Sequence, residues 1–155
     1  MPLVFAFLIG FFAGLRSLLA PAIVAWAVYF GSLKLERPLS LLGTLPSVIV
    51  FTVLAIGELI ADKLPKAPNR TGALGLVARI VTGGLTGACV LVGFGHGAVT
   101  GALLGAAGGV VGCFAGFYAR MRFTKAAGNR GLVVALLEDL LAIAGCVWVV
   151  SQFWS

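Results

Sequence analysis

The sequence predicts an all-α protein, a polytopic transmembrane helical bundle of about five spans. Of 155 residues, 61% are hydrophobic and 10% charged, and the mean hydropathy is +1.12, whereas an ordinary soluble domain carries about 25% charged residues. Apolar runs long enough for a bilayer recur between short polar connectors. Those connectors differ sharply in basic charge, as topology signals do. A soluble chain of this length has no interior large enough for so much apolar surface, so lipid is the expected solvent. Residues 1–155 read as a single domain.

Residues 3–30 form the first hydrophobic segment. As one helix it would reach about 42 Å, against a hydrocarbon core of roughly 30 Å. It is therefore tilted, protruding or broken. The candidate break is Gly14-Leu15-Arg16-Ser17, followed by Pro21. Trp26, Tyr29 and Phe30 at its far end fit an interfacial aromatic belt. A cleaved signal peptide is disfavoured, because the stretch lacks a basic n-region and carries Arg16.

A polar connector with Lys34, Glu36, Arg37 and Pro38 leads to the second segment, residues 44–64, which ends in Glu58 and Asp62. These two acids are four residues apart and share a helix face. The basic connector 63–71 follows, where Pro65 and Pro68 stop the helix. The third segment, 72–92, carries Arg79 two turns inside, and 93–96 is a tight turn with His96. The fourth, 97–119, carries Gly97, Gly101, Gly105 and Gly109 at a spacing of four, then Gly112 and Gly116. That is an extended small-xxx-small face for close helix packing, within the chain or between copies. The fifth, 131–153, places Glu138 and Asp139 two turns in and Trp148 at its far end.

The second and fourth connectors hold seven Lys/Arg (Lys63, Lys66, Arg70, Arg120, Arg122, Lys125, Arg130), the first two (Lys34, Arg37), the third none. Five spans put the seven on one side together with the N-terminus. The positive-inside rule then gives a cytoplasmic N-terminus and an outer C-terminus. A re-entrant hairpin in the first segment would instead move the N-terminus outside and the C-terminus inside.

Arg16, Glu58, Asp62, Arg79, Glu138 and Asp139 form the candidate substrate or ion site. Charges inside an apolar segment normally face a bundle interior or water and pair with one another. Structural pairing alone is the competing explanation, and solvation near the interface accounts equally for Asp62 and Asp139. Arginine first and acid last, in each half of the chain, is a weak internal repeat of the kind transporters use.

Several classes are disfavoured. The net charge of +6 is not gathered on one stripe, so nucleic acid is not an expected partner. Cys89, Cys113 and Cys146 lie in apolar runs without metal-ligand spacing and read as small buried hydrophobes. His96 has no second His or Cys beside it. No P-loop, CxxC, HExxH or GxSxG occurs.

At GLRSLLAPA (14–22), GELIADKLPKAPNRT (57–71) and the glycine-rich segment ending FYARMRF (117–123), the chain resembles a bacterial family of small integral membrane proteins, domain of unknown function 4126. The resemblance covers nearly the whole chain and implies a multi-span fold; the expected location is the bacterial inner membrane. It carries over no activity and no site residue.

The leading function is a transporter, channel or lipid translocator, with Arg16 and Arg79 attracting an anionic group or Glu58 and Glu138 binding a cation or proton. Its expected ligand is a small ion, solute or lipid, and its expected assembly a homodimer or larger. The alternative is a membrane enzyme on a lipid phosphate or lipid-linked head group. There Glu58, Asp62 and Glu138 or Asp139 would hold a divalent cation, with Arg79 and Arg70 on phosphate. A non-catalytic scaffold or accessory subunit is the third.

Overall fold

The computed structural model describes residues 1–37, 39–61, 73–126 and 131–153. Among these residues six α-helices follow one another: α1 (Pro2–Leu15), α2 (Leu19–Tyr29), α3 (Leu45–Ala61), α4 (Ala73–Gly93), α5 (Ala98–Ala126) and α6 (Gly131–Ser151). A short 3-10 turn, Leu39–Gly43, precedes α3. No strand occurs among the described residues. Among the described residues, three helices (Ala73–Gly93, Ala98–Phe123 and Leu132–Ser151) are long and apolar enough to cross a bilayer. The chain is a membrane protein.

The first hydrophobic segment does not cross the bundle as one helix. It breaks at Arg16, whose extended backbone (φ −140°, ψ 105°) ends α1, and it reverses. Glycine contacts fix the direction of α1, since Gly10 lies against Gly105 and Gly14 against Gly109, so α1 runs parallel to α5. Its start is stacked on the far ends of α4 and α6, with Phe5 5.7 Å from both Phe94 and Trp148. The second helix runs back: Ser17 and Leu18 meet Glu58 late in α3, while Trp26 donates to Thr52 nearer its start. Thus α1 and α2 form a re-entrant hairpin entering from the end where α4 and α6 finish.

The described helices that are long and apolar enough to cross number three, short of the expected count of about five, and the N-terminus lies opposite the helix ends that lead into the basic connectors. The re-entrant alternative is right about the hairpin and wrong about the C-terminus, because the end of α6 shares the N-terminal side. Depths agree with this arrangement. A 14-residue α1 reaches in about 21 Å. Arg79, beside its tip, is six residues after Ala73 and so about 9 Å from the opposite end. Together these match a hydrocarbon core of roughly 30 Å.

The packing has two styles. In α1, α4 and α5, glycine replaces side-chain interdigitation: a Cβ on Gly105 would meet the backbone of Gly83 and Gly87, and one on Gly108 or Gly112 the backbone of Phe7 or Phe11. Among the fourth-segment glycines named above, Gly101, Gly105, Gly109 and Gly112 are used this way within the chain. Gly116 is buried. Gly97 is exposed, and a Cβ there would meet only Thr100 Oγ1 at 4.0 Å. Elsewhere an aliphatic core gathers Ile9, Val24, Leu33, Cys89, Cys146 and Val149. The turn after α4 needs Gly95, whose φ of +80° lies in the left-handed region. His96 beside it is exposed.

Candidate functional site

Breaking a helix inside an apolar bundle leaves unpaired carbonyls on one side of the gap and unpaired N–H groups on the other. The two ends also carry opposite partial charges, negative at the C-terminus of α1 and positive at the N-terminus of α2. Here each end meets a side chain of the matching sign. Arg79 of α4 donates from Nε to the carbonyl of Gly14 (2.9 Å) and from Nη1 to Gly75 of its own helix (3.0 Å). Glu58 of α3 accepts from the Ser17 backbone N–H (2.9 Å), the Ser17 hydroxyl (2.7 Å) and the Leu18 N–H (2.9 Å). A carboxylate holding three donors at a helix N-terminus combines charge-assisted bonding with the helix dipole. Pro21 sits in the first turn of α2, where its missing N–H costs nothing.

Arg16, at the tip between the two ends, is 0% exposed. Its guanidinium pairs with Asp139 and lies 3.9 Å from Glu138, both on α6. An isolated charge buried this deeply would be very costly, and pairing is what makes it tolerable. The hairpin tip is thereby tied to three helices by charge: α3 through Glu58, α4 through Arg79 and α6 through Asp139.

Five of the six candidate residues therefore meet at one place. Arg16, Glu58, Arg79, Glu138 and Asp139 surround the break, and Asp62 lies outside the described residues. Their contacts are with each other and with the backbone. Among the described residues, no three His, Cys, Asp or Glu side chains gather as metal ligands would. The acids are also divided in role, with Glu58 on the start of α2 and Asp139 on Arg16.

Sequence reasoning missed the groups these charges bind. Ser17 is adjacent to Arg16 and was visible as a polar residue in an apolar run; the Gly14 carbonyl and the Leu18 N–H carry no side-chain signal at all. The glycines facing α5 were legible, because Gly10 and Gly14, and Gly83 and Gly87, repeat the spacing of four.

Beside the tip, a groove of about 530 Å³ opens along the lipid-facing side of α5 and α6. Phe11, Leu15, Phe123, Val133, Leu137 and Leu141 give it apolar walls, and Arg120 and Glu138 are its charged members. Glu138 thus belongs both to the groove and to the surroundings of Arg16.

A family model for a domain of unknown function, DUF4126, matches residues 3–152. The chain belongs to this family. No curated protein and no solved structure matches it. Membership is consistent with the helical membrane architecture and names no reaction or cargo.

Proposed function

We propose that this DUF4126 protein is a small transporter or translocator of the bacterial inner membrane, with the hairpin tip as its site. One observation carries the reading: a re-entrant helix pair brings two helix ends and five charged side chains together inside an apolar bundle. Interrupted helices at membrane depth are where transporters place ions and anionic solutes, using the helix ends as fixed partial charges. Glu58 is the exchangeable part. It is half-buried, and it holds the positive end of α2 that an anion would seek. With the basic connectors in the cytoplasm, both chain ends lie outside. A membrane-impermeant maleimide should then label Ser155→Cys in intact cells.

The test is flux into vesicles containing the purified protein, under imposed proton, sodium, potassium, chloride or phosphate gradients and with a fluorescent phospholipid. Flux of one of these at least tenfold above protein-free vesicles is expected, and Glu58→Gln should abolish it while leaving the fold intact by circular dichroism. No flux of any of them would remove the transport reading. The scaffold or accessory reading would then lead, favoured by the observation that these charges already have partners within the chain. The enzyme reading draws less support, since the acids it needs serve different partners. A homodimer or larger assembly remains part of the proposal, through a face other than the α5 glycines, and light scattering of the detergent-solubilised protein measures it.

A further inference from the structure

The groove between α5 and α6 has a polarity that matches one leaflet of a bilayer. Arg120 is 22 residues after Ala98, about 33 Å along α5, which places it at the head-group level of the basic end. Arg122 and Lys125 line an adjoining hollow with Tyr118 and Phe123. On α6 the groove runs from Val133 inward to Leu141, about 12 Å, most of the half-thickness of a hydrocarbon core of roughly 30 Å. Its walls along that length are Phe11, Leu15, Phe123, Val133, Leu137 and Leu141. Glu138, the carboxylate in the wall, sits on α6 beside Arg16, whose charge opposes its own.

An apolar trough of this depth, with Arg120 in its wall at head-group level and Arg122 and Lys125 in the adjoining hollow, complements an anionic phospholipid in charge and length. We propose that this groove seats one acyl chain of an anionic phospholipid from the leaflet at the basic end, with its phosphate on Arg120. Arg122 and Lys125 strengthen the preference for a negatively charged head group over a zwitterionic one. This site is independent of transport at the hairpin tip.

The test is native mass spectrometry of the full-length protein extracted from vesicles of equimolar phosphatidylglycerol and phosphatidylcholine. Retained adducts should favour phosphatidylglycerol about fivefold for the contribution of Arg120 alone, and Arg120→Gln should remove that share. Val133→Trp, which fills the trough, should lower adducts of both lipids, while Lys34→Gln, in the connector before α3, should leave the pattern unchanged. Equal retention of both lipids, or an unaltered preference in Arg120→Gln, overturns the assignment. If Val133→Trp instead breaks a dimer and leaves lipid retention unchanged, the groove is a contact between copies and the lipid assignment is wrong.

Discussion

Along α1, Gly10 and Gly14 bring backbone against the backbone of Gly105 and Gly109, whereas α2 presents Ala20, Val24 and Ala27 to Val90, Cys146 and Val149. The two helices are legs of one hairpin, yet the first is fixed by steric fit and the second by ordinary side-chain burial. On the outer side of α2 lies α3, whose buried side chains are Val48 and Ala55 and which is otherwise tied to α2 through Glu58 and Thr52. Close backbone approach tolerates no added atom, so α1, α4 and α5 behave as one rigid block. The α2–α3 pair rests on fewer and more replaceable contacts. If part of this molecule moves, it is that pair, hinging at the extended Arg16 backbone.

The sharpest way to break the comparison is to load the rigid block. Gly105 faces Gly10 on one side and Gly83 and Gly87 on the other, so Gly105→Leu has backbone in its path whichever rotamer it takes. Overpacking of this kind costs about 3 kcal/mol or more, enough to abolish a monodisperse species in size-exclusion chromatography. Gly97→Leu, on the same helix but in open space, should stay within about 0.5 kcal/mol of the parent in thermal melting. Equal effects at the two positions would mean that α5 is not packed on α1 and α4 in this way.

A second test removes the charge at the hinge. Arg16→Leu removes a buried charge partner of Asp139, and breaking a buried pair from one side costs about 3–5 kcal/mol. Adding Asp139→Leu should recover part of that loss, because a buried carboxylate deprived of its arginine, more than the missing bond, is the penalty. Melting of the two single variants and the double variant reads this directly. A double variant as unstable as Arg16→Leu would show that the arginine fixes the tip through other contacts.

Much of this was legible in the sequence, and the part that was not has a physical reason. Composition gave the membrane class, and Gly14 to Ser17 marked the break, because an arginine beside a glycine and a serine is a poor place to continue a buried helix. The intramembrane charges marked the right neighbourhood, since each needs a partner. Chain reversal at the break was not legible. A straight kinked helix and a hairpin have the same apolar residues, and counting basic residues constrains only the ends of full crossings. The choice lies in Gly10 and Gly14 fitting α5 in the parallel sense, which is a tertiary contact. The pairing of Glu58 with backbone N–H groups was equally hidden, because those donors exist only once the helix has broken. Composition points to a charged site; only geometry distinguishes a site from a set of caps.

The smallest expected effect concerns the flexible side alone. Trp26 Nε1 donates to Thr52 Oγ1 at 2.9 Å, and that hydroxyl also bonds the carbonyl of Val48 in its own helix. Thr52→Val keeps the shape of the side chain and removes the acceptor, at a cost of about 1 kcal/mol. Trp26 is partly exposed and stacked on Phe30 at 5.4 Å, so its ring remains in the aromatic cluster and its emission reports the changed environment. Hydrogen exchange should rise in α2 and α3 and stay unchanged in α1, α4 and α5 if the two blocks are mechanically separate. Exchange that rises equally in all five helices would mean that the glycine-packed block and the α2–α3 pair unfold as one unit. The proposed hinge at Arg16 would then have no independent element to move.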